Sequence, residues 1–456
     1  MLLLTLIIDI IIIIFFYTIW KTRIGRGFSP TALYGIIWGV IWLIHLIDIM
    51  GYYKISNRGL VYSVIPLISM GYVELYLIFV DNKKNFFYET EKINAVLFRR
   101  WVIALGSISL LIGLTIFIVS LMAFGKDWMI IGRAAEIKGL RVTEGMSAYF
   151  SQFKGTSIYR FGLYIPLLQG VSYGSILLSI LYLKLINHRY YIGIILPIFG
   201  SILYDFGSVS RSYTYHMILF FAVMQFVLPF NKKKPSKHRG FNKPRRVLIG
   251  VVFLISFFSM YFISNINRSW EEPNSLFHLS ILTPLEMYVN YNTANLVTFD
   301  QTLDQNPITY GRMSFFSIES LLRILRIVPR SISRPEQMLT WEEEYPEVYR
   351  YKIGGQNTYS WLRYLYSDFG VLGLFIIPLF LGFVTLFFTI KFVRNSKPNI
   401  QALAILSICY AVILRSSTIM IFRDTAYFFG FLLLYVATQH IGKKSISPRN
   451  GVRKYA

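Results

Sequence analysis

Guanidinium is the reactive group this sequence supplies most freely where an anion could be met. Between Asn265 and Trp361, the one long stretch that is not membrane-like, fall Arg268, Arg312, Arg323, Arg326, Arg330, Arg334 and Arg350, with an acidic knot at Glu342, Glu343 and Glu344. A guanidinium is a planar fork that grips phosphate or carboxylate at two points, whereas an ammonium is a hydrated point charge. Charge-assisted hydrogen bonds of this kind contribute roughly 1.5–3 kcal/mol each when desolvated. Two or three of them would hold a diphosphate and stabilise it as a leaving group. A second cation stands in the connection YDFGSVSRSYTYH, where Arg211 is flanked by Ser208, Ser210 and Ser212, with Asp205 and His216 nearby. Arg211 has the setting of an anion clamp at a membrane surface. His216 is expected to pack.

Two further residue sets bear on chemistry. The segment SFFSIESLLRILRIVPR has a helical period, with Leu321, Leu322, Ile324 and Leu325 apolar and Arg323, Arg326 and Arg330 on one face. Such a helix would lie on the membrane with its basic side at the lipid phosphates. Carboxylates on that side of the chain include Glu144, Glu286, Asp300, Asp304, Glu319, Glu347 and Asp368. Any of them could take a proton from an acceptor hydroxyl, and Asp368 and Glu286 are the expected catalytic pair. No His or carboxylate cluster has metal-ligand spacing, so a metal-free, cofactor-free mechanism is expected. The chain carries no Walker-type loop, no GxGxxG after a strand and no HExxH, which leaves ATP-driven transport, dinucleotide chemistry and zinc proteolysis without support. Asp9, Asp48 and Glu74 within apolar runs are the residues a proton-coupled transporter would use.

The elements that must position these groups are membrane helices. Hydrophobic residues make up 55% of the chain and charged residues 15%, with mean hydropathy +0.51; a soluble chain carries about 25% charge. A bilayer core about 30 Å thick needs about 20 apolar residues per helix. That criterion gives eleven spans, at 2–20, 31–50, 60–80, 101–124, 161–183, 191–208, 213–230, 247–264, 365–390, 401–421 and 425–441. The expected fold is thus an all-α polytopic membrane protein, one transmembrane domain over 1–456 with a long extracytoplasmic loop at 265–361 that carries short amphipathic helices. No basic leader precedes the first apolar run, so it is expected to be a retained span. The lone Cys409 lies in an apolar run and forms no disulfide framework.

Lysine and arginine divide unequally between alternate connections. One set, including Lys21/Arg23/Arg26, the run from Lys232 to Arg246 and the tail from Lys443, has 15 Lys and 11 Arg; the other has only five lysines among its basic residues, Lys54, Lys126, Lys138, Lys154 and Lys352. The positive-inside rule puts the first set in the cytoplasm, the N-terminus outside and the C-terminus inside. The run NKKKPSKHRGFNKPRR is then a topogenic loop rather than a nucleic-acid site. The net charge of +23 is left with an arginine-rich outer face, whose bland counterpart would be solvated surface paired with the acidic knot.

Two passages, set in this topology, carry a family likeness. They are SVSRSY around Arg211, and TYSWLRYLYSDFGVLG, with Tyr366, Asp368, Phe369, Gly370 and Gly373 in an aromatic-aspartate-glycine pattern. The chain resembles the Wzy-type oligosaccharide repeat-unit polymerases of O-antigen and capsule assembly. The resemblance implies inverting glycosyl transfer from an undecaprenyl-diphosphate-linked glycan at the outer face of a bacterial plasma (inner) membrane. It implies that Arg211, Arg268, Arg312 and Arg350 hold the diphosphate, and that Asp368 orients or deprotonates the acceptor. Membrane lipids, a chain-length regulator and a flippase are the implied partners. The related O-antigen ligase uses a histidine in the large loop, where this chain has only His278; a lipid-linked oligosaccharide flippase is the rival from another class.

Overall fold

The computed structural model describes residues 1–25, 27–48, 51–79, 93–124, 157–186, 190–208, 212–228, 282–304, 309–315, 318, 319, 322, 327, 360–394, 399–417 and 425–446. Their regular structure is helical throughout. In chain order the helices are α1 (Leu2–Arg23), α2 (Pro30–Ile47), α3 (Asn57–Glu74, continued by a 3-10 turn Leu75–Phe79), α4 (Ala95–Phe124), α5 (Ser157–Leu185) and α6 (Ile192–Ser208), followed by α7 (Ser212–Val227), α8 (Leu282–Thr302), α9 (Trp361–Arg394), α10 (Ile400–Leu414) and α11 (Thr425–Ile446). Among the described residues six helices are long and apolar enough to cross a bilayer, and four shorter apolar ones stand at Ile192–Asp205, His216–Val227, Ile400–Leu414 and Ala426–Gly442. The protein is a helical membrane protein. The span expected at 247–264 lies outside the described residues.

Close contact between these helices rests on small residues, since lipid supplies no hydrophobic drive for helix association. Where α4 crosses α6, a methyl group on Gly113 would lie 2.0 Å from the Gly200 carbonyl oxygen. Two buried carboxylates are also set against α2. Glu74 accepts from Ser29 Oγ at 2.7 Å and from Thr31 N at 2.8 Å, meeting the free amides that any helix start presents. Asp9 instead lies in the groove between Gly35 and Gly39, where added methyls would come within 2.7 and 2.4 Å of its oxygens. Its oxygens are buried and have no hydrogen-bond partner among the described residues. Lys184 closes α7 by donating to the carbonyls of Gln225 and Leu228 at 2.9 and 3.1 Å.

The long connection contains a helix that the sequence pattern did not indicate. α8 carries the polar run Asn290-Tyr291-Asn292-Thr293, and the bundle stabilises it from the side. Thr293 takes His45 Nε2 on its carbonyl at 2.8 Å and Tyr52 on its hydroxyl at 2.6 Å, and Asn295 Nδ2 donates to Ser417 O at 2.6 Å. Asp300 receives Ser56 N at 2.7 Å, and so reinforces the start of α3. The helix therefore lies where α2 and α10 end and α3 and α9 begin, and this is the α8 end of the bundle. Of the amphipathic helix expected over 314–330, only Ile318, Glu319 and Leu322 are described as helical; Ser314 and Phe315 belong to a turn, and Arg323, Arg326 and Arg330 lie outside the described residues.

Candidate functional site

At the α8 end, α9 bends at Gly370, whose φ of 61° and ψ of −147° belong to a region that only glycine enters readily. The residues before the bend hold the turn Thr309–Phe315. Thr309 N donates to Ser367 O at 3.0 Å, and Arg312 N donates back to Thr309 O at 3.1 Å across two left-handed residues, Tyr310 (φ 50°) and Gly311 (φ 88°). Asp368 fixes the other half of the turn. Its Oδ1 accepts from Met313 N at 3.0 Å and from the Thr309 hydroxyl, and its Oδ2 accepts from Ser314 N at 2.6 Å. The side chain is fully buried. Asp368, expected to orient or deprotonate the acceptor, here faces donors with both oxygens. It positions the turn, and the turn positions Arg312.

Arg312 in turn is half-buried and paired in bidentate fashion with Glu319, Nε to Oε2 at 3.1 Å and Nη2 to Oε1 at 3.2 Å. An incoming diphosphate would compete with that carboxylate. Beside the turn, Arg58 Nη2 donates to Tyr366 Oη at 3.0 Å, covers the Tyr62 ring at 5.4 Å from its centroid and lies 3.6 Å from Asp304. One cation, Arg58, thus joins two tyrosines across the start of α3 and α9.

Two arginines at the same end are almost fully enclosed, Arg363 at 2% exposure in the first turn of α9 and Arg415 at 6% at the end of α10. Arg415 begins the turn that ends α10, and neighbouring helices seize that turn from three sides. Trp361 N donates to Ser416 O at 3.0 Å, Trp38 Nε1 to Ser416 Oγ at 3.1 Å, and Ser417 Oγ to Asn292 Oδ1 at 3.1 Å. The Arg415 guanidinium lies 5.9 Å from the centroid of Tyr427. Tyr427 stacks on Tyr173 at 4.0 Å, and His216 Nδ1 meets the hydroxyl of Tyr427 at 2.7 Å and that of Tyr173 at 3.2 Å. Asp205 is fully buried and accepts from Thr214 N at 2.8 Å, in the first turn of α7.

Enclosing an arginine is costly, because its charge gives up water. A protein keeps it where its charge has a use. Sequence reasoning counted Arg363 and Arg415 only as part of an arginine-rich face and set His216 aside as a packing residue. The usable signal was an arginine inside each of the apolar runs YSWLRYLYS and AVILRSSTIM.

No family model, curated protein or solved structure matches this chain. The geometry of the site is therefore what speaks for its chemistry. Of the other residues expected there, Arg211, Arg268 and Arg350 lie outside the described residues, as do Arg323, Arg326 and Arg330; Glu286 is in the first half of α8, with its side chain outside them too. Among the described residues no group of three His, Cys, Asp or Glu side chains is arranged to hold a metal ion. What the structure does assemble at the α8 end is a buried Arg415 against the Tyr427–His216–Tyr173 network, a buried Arg363 in the first turn of α9, and the Asp368-held turn.

Proposed function

We propose that this protein is a repeat-unit polymerase, joining lipid-linked oligosaccharides at the outer face of a bacterial plasma membrane. The observation that carries this is the enclosure of Arg363 and Arg415 at the α8 end of an apolar helical bundle, a place suited to a polyanionic headgroup whose tail remains in lipid. Eleven spans with the N-terminus outside would put that end on the external side, where undecaprenyl-diphosphate-linked glycans are met. The acceptor sugar hydroxyl would attack the anomeric carbon of the donor glycan from the face opposite its diphosphate. The carbon–oxygen bond to that diphosphate breaks, its electron pair leaves with the undecaprenyl diphosphate, and the configuration inverts. The positive field of Arg363 and Arg415, enclosed at that end, together with Arg211 and Arg268, would stabilise the departing charge. The proton of the acceptor would pass to a nearby base. Glu286 keeps that assignment, and Asp368, with both oxygens facing donors, does not.

Purified protein in detergent, supplied with the host's own lipid-linked repeat unit, tests the proposal. Both membrane faces are open in a micelle, so transport alone yields nothing. A ladder of polymer with the wild type, lost in Arg415→Gln and Arg363→Gln proteins that melt within a few degrees of the wild type, is the expected result. Absence of polymer with active substrate, or full ladders from both variants, would refute it. Transfer of a single finished glycan to lipid A core without chain growth would instead mark a ligase.

A further inference from the structure

The turn Thr309–Phe315 is built to present one side chain. Tyr310 is 81% exposed at its tip, and its φ of 50° is a conformation that costs a residue with a Cβ roughly 1–2 kcal/mol. Glycine or asparagine would occupy the position with less strain. The strain is sustained from below, because Asp368 takes up the amides of Met313 and Ser314 and the Thr309 hydroxyl, while Ser367 O takes the amide of Thr309. Strain held in place by a buried charge marks functional positions more often than idle loops.

We infer that Tyr310 is the stacking platform for a sugar ring of the glycan, an inference that rests on the polymerase proposal and adds a glycan subsite to it. A sugar offers a flat face of C–H bonds and a rim of hydroxyls. The turn offers the matching set: the Tyr310 ring, Phe369 packed under Gly311 and itself 37% exposed, and the locked Arg312–Glu319 pair as fixed donor and acceptor. The chain leaves α8 at Asp304, whose side chain is 87% exposed, a further acceptor for hydroxyls. An acyl chain would match the ring but not this polar rim.

The test separates the ring from the fold. Tyr310→Gly removes the ring and relieves the left-handed strain, so its melting temperature is expected to equal or exceed that of the wild type; Tyr310→Phe keeps the ring. The probe is the free repeat-unit oligosaccharide released by hydrolysis of the host's surface polysaccharide, carrying neither lipid nor phosphate, titrated into the full-length protein in nanodiscs and followed by saturation-transfer NMR. Wild type and Tyr310→Phe should bind alike, and Tyr310→Gly should bind about tenfold more weakly or worse, the scale of one lost aromatic contact face. Equal binding by wild type and Tyr310→Gly would overturn the inference, as would no binding by any of the proteins. Equal binding together with weaker retention of Tyr310→Gly in the bilayer would overturn it in favour of an interfacial anchor. Because the titration requires no turnover, it reads Tyr310 independently of whether the micelle assay yields polymer.

Discussion

Replacing Asp368 with alanine strands the amides of Met313 and Ser314 and the Thr309 hydroxyl at one stroke. The site is closed to water, since the carboxylate is fully buried. Each stranded buried amide costs about 1–3 kcal/mol, or about 2–6 kcal/mol for the two. The hydroxyl has a fallback in Ser367 O, 3.5 Å away, and adds little. Against that loss the turn also carries the strain of Tyr310, so it should open locally rather than drag the bundle with it. Hydrogen exchange read by mass spectrometry on peptides covering 309–319 should show protection reduced by about 30-fold or more, since each 1.4 kcal/mol is tenfold, while peptides of α5 and α11 keep theirs. Asp368→Asn retains one carbonyl oxygen as acceptor and should fall between the two. Unchanged exchange over 309–315 in the alanine variant would refute the positioning role. Unchanged exchange combined with complete loss of polymer would return Asp368 to the reaction itself.

Two further outcomes probe the membrane core. Gly113→Val drives a side chain into the Gly200 backbone, where even a methyl would lie 2.0 Å from the carbonyl oxygen, so the α4–α6 crossing must separate; a loss of about 1–3 kcal/mol or more is expected as a lowered melting temperature in detergent, while Gly442→Ala, whose methyl meets only ordinary contacts at 3.5 Å, should be neutral. Asp9→Leu replaces a buried carboxyl between α1 and α2 with an apolar group of similar shape, and melting should rise or stay level, in line with a gain of about 1–3 kcal/mol on removing an uncompensated polar group; a clear fall would show that the carboxyl has a structural partner.

The sequence alone determined the class of protein and where its apolar helices run, because the need to satisfy the backbone in lipid is a local rule read from each apolar run by itself. Within the described residues, apolar helices stand at ten of the eleven expected spans. It also brought out arginine as the characteristic cation, because side-chain type is local information. The tertiary structure decided what those residues meet. Asp368 finds its donors 54 and 55 residues earlier in the chain, and His216 meets Tyr427 across 211 residues; no local pattern encodes such pairings. α8 was missed for the same reason. Its Asn and Thr residues are weak helix formers, and His45, Tyr52 and Ser56 from the end of α2 and the connection to α3, with Ser417 from the end of α10, are what hold it in register. The buried guanidiniums of Arg363 and Arg415 were in plain view as letters, but burial is a property of the packed bundle. Only folding could enclose two members of an arginine-rich face within a protein made mostly of apolar helix.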